Sequence, residues 1–233
     1  MESVVENVLA RDELVRSGVS YWPRRLTRTP REVLRGRPAQ EVGDARKSWD
    51  VLKSLRFLEE RRLQKGLVVD LGAFASEILC ALHLAGFTNL VGVDLNPNVR
   101  RMPFARDVRW TVGDMRRMPV EPGTAAAVTA ISCIEHGYTP DPLFSEISRV
   151  LKSGGVFVGS MDYWQDKIDT SDIKLFNMEW TIFSAEDVRE MFESAKRYGL
   201  FPCGDIQSTC KARCIDYAGR QYTFGWFALE KRA

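Results

Sequence analysis

The stretch LVVDLG, Leu67–Gly72, decides the fold prediction. A short apolar run with β-branched Val68 and Val69 is typical of a strand that is buried on both faces of a parallel sheet. The closing glycine allows the backbone to approach a ligand, and a helix predicted over 76–85 would direct its free amide hydrogens to the same place. This order of strand, glycine and helix predicts a ligand-binding loop at the carboxyl end of the strand.

The alternation of strands and helices continues beyond this stretch and predicts an α/β fold with a mostly parallel sheet covered on both faces. Apolar runs predict strands over 67–71, 90–94, 108–112, 125–132 and 156–160, and runs near 201–208 and 221–229 predict an antiparallel end to the sheet. Helical spacing predicts helices over 44–64, over 76–85, from an Asp141 cap through Pro142 to Gly154-Gly155, and from a Ser184 cap to Gly199.

Composition excludes several classes of protein. Of the 233 residues, 45% are hydrophobic and 27% are charged, which excludes disordered, collagen-like and coiled-coil proteins. No run approaches the roughly 20 apolar residues of a membrane span, and the charged residues within Met1–Ser17 argue against a signal peptide. Five cysteines without paired spacing favour a reducing cytoplasm, and with two histidines we expect no metal centre.

Positive charge is concentrated in the first part of the chain. Residues 1–65 hold 15 basic and 10 acidic residues, whereas the remainder holds 18 and 21. A single acid, Glu32, and three prolines accompany the arginine run, which predicts an irregular, exposed segment. We interpret it as a lid over an anionic substrate or as a surface connection, with nucleic-acid binding as an alternative. The run consists of Arg24, Arg25, Arg28, Arg31, Arg35 and Arg37.

Carboxylates follow the second and third predicted strands. Asp94 lies 22 residues beyond Gly72, where an acid can accept both hydroxyl hydrogens of a ribose. The same aspartate could instead cap the turn at Asn96-Pro97. Asp114 follows the next strand and could accept from an exocyclic amine such as that of adenine. A nicotinamide dinucleotide is disfavoured because the first loop lacks the G-x-G-x-x-G pattern.

Five segments in this order resemble the class I S-adenosylmethionine-dependent methyltransferases over about residues 45–230: Val69–Gly72, Gly92–Asp94, Val112–Met115, Ser132–His136 and Leu151–Gly155. The resemblance implies a three-layer Rossmann-like fold with a seven-stranded sheet in the order 3-2-1-4-5-7-6, the last strand being antiparallel. It also implies a methyltransferase domain over 44–233, preceded by a basic extension over 1–43 that could serve as a lid. We expect the branch of the family that modifies small molecules or carbohydrates.

S-adenosylmethionine is the cofactor that the resemblance implies. Its contacts would come from Asp70, Gly72, Ala73, Asp94, Leu95, Asp114, Met115, Ser132 and Cys133. The family's first loop is usually rich in glycine, whereas 72–76 keeps only the first one. Either this loop takes an ordinary α or β conformation or cofactor affinity is reduced, because alanine in a left-handed conformation costs about 1 kcal/mol or more.

His136 is the leading candidate for a general base. It follows the fourth predicted strand, where the methyl group of the cofactor would face, and the usual pKa of histidine suits proton removal near neutrality. It could instead order the loop without accepting a proton. Glu135 and Asp162 are the alternative bases, whereas His83 is interpreted as structural.

Aromatic residues after the fifth strand are candidates for the acceptor site, where they would form an apolar or sugar-stacking wall or simply bury an inserted segment: Tyr163, Trp164, Phe176, Trp180 and Phe183. Tyr138, after the fourth strand, could orient an acceptor. We therefore expect methyl transfer from S-adenosylmethionine to a small-molecule or carbohydrate-type acceptor, at oxygen. The alternatives are an RNA methyltransferase that uses the arginine run, and a non-catalytic binding protein with a degenerate loop. Neither nucleic acid nor a membrane is expected as a partner, and the oligomeric state, a homodimer included, stays open.

Overall fold

A central sheet of eight strands organises the molecule, for which a computed structural model describes residues 1–36, 38–205 and 207–232. The strands are β1 (Leu67–Leu71), β2 (Leu90–Asp94), β3 (Val108–Val112), β4 (Ala125–Ile131), β5 (Leu151–Tyr163), β6 (Lys174–Leu175), β7 (Met178–Glu179), β8 (Leu200–Pro202), β9 (Ile215–Tyr217) and β10 (Arg220–Lys231). The α-helices are α1 (Val4–Arg16), α2 (Pro30–Leu34), α3 (Ser48–Glu60), α4 (Ile78–Leu84), α5 (Pro140–Val150) and α6 (Ala185–Lys196).

The strand order confirms the predicted fold class. The sheet runs β3-β2-β1-β4-β5-β10-β8, and β9 adds to it by pairing with β10. Strands β1 to β5 run parallel to one another, whereas β10 is antiparallel to both β5 and β8. The late strand β10 therefore takes the predicted place of the antiparallel seventh strand, with β8 as the sixth. The short strand β9 and the separate hairpin of β6 and β7 are not predicted by the sequence.

Two predicted boundaries around α5 are wrong. The helix begins at Pro140 with Thr139 at the N-cap, and the carboxylate of Asp141 is bound instead by Arg197, at 2.6 Å. The helix ends at Val150 rather than at the glycines, because β5 begins at Leu151. Gly154, at a φ of +72°, lies where the pairing of β4 with β5 shifts register, so it bends a strand instead of ending a helix.

Helices cover both faces of the sheet, as alternating strands and helices require. On one face, α5 and α6 bury Phe144 and Phe192 against the strands. On the other, α3 and α4 bury Leu58 and Leu82. Strands β1, β2 and β4 are buried almost throughout on both faces, and the carboxyl ends of the parallel strands meet at one edge of the sheet.

The first 43 residues fold onto the α3 and α4 face. Leu14 and Val42 are fully buried in the same core cluster as Leu58. The arginine segment is less irregular than predicted, because Pro30 starts the short helix α2 instead of preventing one, and Thr29 caps it. Arg37 lies outside the described residues.

Candidate active site

A cavity of about 1330 Å³ opens at the carboxyl ends of β1, β2 and β4. Its walls come from the loops that follow these three strands and β3, from the tip of the β6–β7 hairpin, and from Trp22 and much of 38–47. Ligands of open α/β sheets bind at this edge, so the cavity lies where the sequence places the ligand.

Gly72, the first residue after β1, can only be glycine in this packing. Its φ is +68°, and a Cβ built on it would lie 2.5 Å from the Sγ of Cys133. The loop then continues to Ala75, which takes a left-handed conformation with a φ of +62°. The carbonyl of Ala75 accepts a hydrogen bond from the amide of Gly43 at 2.7 Å, so a contact from the N-terminal segment supports the costly conformation. The loop therefore does not take an ordinary α or β conformation throughout, which is one of the two alternatives that the sequence leaves open.

Asp94 presents a carboxylate that is fixed before any ligand arrives. One oxygen accepts the amide of Phe74 at 2.8 Å, and the other accepts the amide of Asn96 at 2.7 Å. Asp94 therefore caps the turn at Asn96, which is one interpretation of the sequence. It also lines the cavity, as the alternative interpretation of a ribose-binding acid requires. A carboxylate has about four lone-pair sites, so two remain for the hydroxyls of a ribose.

Six of the nine predicted cofactor residues line the cavity: Gly72, Asp94, Leu95, Met115, Ser132 and Cys133. The other three do not. Asp114 is held by Arg116 through both carboxylate oxygens, and Ala73 is fully buried. Asp70 is fully buried behind Gly72, where Thr129 donates to one of its oxygens at 2.6 Å.

The residues at the end of β1 fit S-adenosylmethionine. One carboxyl oxygen of Asp70 is buried and has no hydrogen-bond partner in the described chain, and the cradle at Gly72 admits no side chain. Burial, helped by the charge of Asp94, raises the pKa of Asp70 to about 8. The Gly72 cradle and Asp94 would hold the amino acid and ribose portions of the cofactor, with Asp70 buried behind the cradle.

His136 lines the cavity together with Ser132 and Cys133. Its ring meets the ring of Phe176 edge-on, with 5.1 Å between the centroids, and its Nδ1 is buried without a partner among the described residues. Burial, together with the nearby charge of Lys47, lowers the pKa of His136 to about 4. The imidazole is therefore neutral at physiological pH, and it is a weaker base than the sequence suggests.

Glu135 and Asp162 lie behind the cavity wall instead of in it. Both are almost fully buried, and burial raises the pKa of each, with the Asp162 charge adding to the effect on Glu135. The ammonium of Lys47 lies 3.9 Å from Asp162 and is hydrogen-bonded to the hydroxyl of Ser132 on the cavity side. Buried Asp50 completes this cluster and is bound by the hydroxyl of Ser160 at 2.7 Å.

Of the predicted acceptor aromatics, Phe176 lines the cavity, whereas the others do not: Tyr138, Tyr163, Trp164, Trp180 and Phe183. Tyr138 and Tyr163 pack with the core on the α5 and α6 face, and Trp164 and Trp180 pack in a third cluster with β9 and β10. The indole of Trp180 donates to Asp162 at 2.8 Å. Their placement supports the alternative expectation, that these rings bury the segment after β5.

Sequence reasoning missed the groups that close the cavity opposite the strands. They are Trp22, Arg46 and Lys47 near the N-terminus and Asn177 and Met178 of the β6–β7 hairpin, whereas Phe176 of the same hairpin is among the predicted aromatic candidates. One signal was available for the hairpin. Asn177 follows Phe176, both have positive φ, and asparagine is favoured in such turns.

Comparison with known proteins identifies a methyltransferase domain in the chain. Residues 69–159 match the model of a methyltransferase domain family. No sequence among curated proteins matches the chain significantly. In the described residues, no helix combines the length and apolarity needed to cross a membrane.

Solved structures share the fold at low sequence identity. A didemethyltoxoflavin N1-methyltransferase of Burkholderia thailandensis is 16% identical, with a TM-score of 0.58 and 79% of each chain covered. A geranyl diphosphate C-methyltransferase of Streptomyces coelicolor A3(2) is 18% identical, with a TM-score of 0.56, covering 82% of this chain and 85% of that one. Both structures contain S-adenosylhomocysteine.

The similarity to a third structure extends over the N-terminal segment. A protein of Galdieria sulphuraria, described as a sarcosine dimethylglycine methyltransferase, is 17% identical with a TM-score of 0.56, and 96% of this chain and 98% of that one are covered. The ordered motifs, the matching domain and the shared strand order agree. Residues 69–159 form a methyltransferase domain, and the chain has the fold of the class I S-adenosylmethionine-dependent methyltransferases.

Proposed function

We propose that this enzyme methylates an oxygen of a small-molecule acceptor that binds in the cavity beside His136. The observation that carries the proposal is the position of His136. Of the three predicted catalytic side chains, it is the one that lines the cavity, beside the residues expected at the methyl end of the cofactor. Structural neighbours that act on toxoflavin precursors and geranyl diphosphate support a small acceptor.

The state of His136 limits what it can do. S-adenosylmethionine, when bound, supplies a methyl group on a sulfonium for in-line displacement, so the protein contributes mainly alignment. A neutral imidazole can accept the hydrogen bond of an acceptor hydroxyl and hold its oxygen in line. Because the pKa of His136 is about 4, proton transfer to it is easiest from an acidic hydroxyl, such as a phenol or an enol.

The N-terminal extension over 1–43 serves as a lid in this proposal, with the methyltransferase domain over 44–233. Trp22 and residues 38–41 line the cavity, and Gly43 is bonded to the first cofactor loop. The five free cysteines support a reducing compartment such as the cytoplasm.

Binding of S-adenosylhomocysteine by calorimetry, followed by transfer of labelled methyl groups to a panel of phenols, alcohols and amines, tests the proposal. In His136→Ala we expect turnover of the best phenol to fall by about 100-fold or more, with cofactor affinity changed less than about twofold. Preferential labelling of amines, or equal turnover in the variant, would contradict O-methylation with His136. Absence of cofactor binding would contradict the site itself.

A further inference from the structure

The outer surface of the N-terminal extension carries a patch that the cavity does not use. We call it the arm patch. Its side chains are exposed, and Leu34 is 88% and Val33 51% accessible to solvent. The arm patch consists of Arg24, Arg25, Arg28, Arg31 and Arg35 with Val33 and Leu34.

The arginines of the patch point away from the acceptor site. Among the described residues none of these five lines the cavity, so a substrate held there is not their partner. The acidic residue of the segment, Glu32, forms an ion pair with Arg101 at 2.9 Å. Its carboxylate also accepts a hydrogen bond from the amide of Thr29 at 2.7 Å. Arg25 pairs with Glu41 at 3.1 Å, but both side chains are largely exposed, and such a pair gives way readily to a competing anion.

The apolar residues of the patch discriminate between classes of anionic partner. Val33 and Leu34 are adjacent aliphatic side chains on the short helix α2. Single-stranded nucleic acids bind through aromatic rings on which bases stack. The neighbouring rings are already engaged, since Tyr21 packs against Phe104 with 5.3 Å between centroids and lies 5.2 Å under the guanidinium of Arg24, and Trp22 lines the cavity.

We infer that the arm patch docks on the surface of a membrane that contains anionic lipids. Its arginines would contact lipid phosphates, and Val33 and Leu34 would enter the boundary between headgroups and acyl chains. Clustered arginines beside exposed aliphatic residues are the features of peripheral binding, which needs no spanning helix. The expectation of no membrane partner concerned spanning segments and is revised here.

The position of the patch relative to the cavity determines which side of the protein would face the membrane. Residues 38–41 follow the patch in sequence and line the cavity. Docking of the patch therefore brings one wall of the cavity next to the membrane surface.

Sedimentation of the full chain with vesicles tests the inference without any acceptor. The probes are vesicles of phosphatidylcholine alone and vesicles with about 30% phosphatidylglycerol. We expect binding to the anionic vesicles to be about tenfold tighter or more, and to weaken steeply as salt rises. Val33→Gln/Leu34→Gln and Arg31→Gln/Arg35→Gln should each weaken it by about tenfold.

Matched variants separate the patch from general effects. Val4→Gln/Val5→Gln alters exposed aliphatic residues of α1, and Arg106→Gln/Arg109→Gln alters exposed arginines beside β3, so both should bind like the wild type. Equal binding to both kinds of vesicle, or none at low salt, would overturn the inference. Binding to poly(U) that survives Val33→Gln/Leu34→Gln and displaces vesicles would assign the patch to nucleic acid instead. S-adenosylhomocysteine binding, measured on each variant, reports separately on the fold and on the proposed function.

Discussion

At the scale of single residues, the cavity depends on groups fixed by backbone contacts. Asp94 is held by the amides of Phe74 and Asn96, so its remaining lone pairs point in set directions. A ligand that meets such a carboxylate loses little free energy to reorganisation, which is the advantage of a preorganised site.

Asp94→Ala should weaken S-adenosylhomocysteine binding by about tenfold or more, because hydrogen bonds to a charged group contribute about 1.5–3 kcal/mol each. Calorimetry measures the change directly. Asp107→Ala is the matched control, since that carboxylate is exposed and lies outside the cavity. An unchanged dissociation constant in Asp94→Ala would remove this residue from the cofactor site.

Gly72→Ala should lower the melting temperature more than Gly123→Ala does. Both glycines have a φ near +68°, at +68° and +67°, so both substitutions carry the left-handed penalty of about 1 kcal/mol or more. A Cβ at Gly72 also meets Cys133, whereas nothing lies within 4 Å of one at Gly123. Calorimetric scans of the two variants isolate the steric contribution, and equal losses would argue against the tight contact.

At the scale of elements, Glu77 holds the N-terminal extension against the start of α4. Its carboxylate accepts from the guanidinium of Arg11 at 2.7 and 2.8 Å and from the amides of Tyr21 and Trp22 at 2.7 and 2.9 Å. The pair is largely buried, at 11% and 1% side-chain exposure. This one carboxylate therefore anchors two stretches of the extension that are distant from it in sequence.

Glu77→Gln should release the extension, because breaking a buried ion pair costs about 3–5 kcal/mol. We expect trypsin to cleave the variant faster within 24–36 and cofactor affinity to fall, since Trp22 and 38–41 form part of the cavity wall. Limited proteolysis and calorimetry measure the two effects. Glu193→Gln breaks the exposed pair with Lys196 on α6, outside the cavity, and should change neither; rapid cleavage in both variants would show that Glu77 is not the anchor.

The elements also show which features the sequence could predict. Strands β1, β2 and β3 have the predicted bounds, because continuous apolar runs between polar residues define buried strands locally. Of the predicted site residues, Gly72 directly after β1 and Asp94 at the end of β2 line the cavity. Lys47 and Met178 also line it but are not predicted, because their places in the cavity depend on tertiary packing near the N-terminus and in the hairpin, which no local pattern encodes.

At the scale of the whole molecule, buried acids make stability depend on pH. Burial raises the pKa of Asp50 to about 6 and that of Asp70 to about 8, so the folded protein keeps protons that the unfolded chain releases near pH 4. The unfolded state then binds fewer protons, and the free energy of unfolding falls as pH rises towards 8. His136 has the opposite effect, but only between about pH 4 and 6.5.

Asp70→Asn should flatten this dependence between about pH 6.5 and 8, where His136 no longer contributes. The hydroxyl of Thr129 can still donate to the amide oxygen, so the fold should be preserved. Denaturant unfolding across this pH range measures the slope. A slope equal to that of the wild type would mean that Asp70 is already ionised in the folded protein.

The place of β10 in the sheet has a consequence for how the chain is made. This strand lies between β5 and β8 and pairs with both, although it follows them in sequence. While the ribosome is still adding residues 200–219, the long strand β5 has one bare edge, and bare edges invite pairing with other chains. The nascent protein is therefore most prone to aggregation late in synthesis, when all strands of the sheet except β10 and β9 have been synthesised. A chaperone that shields the edge of β5 would act in that interval.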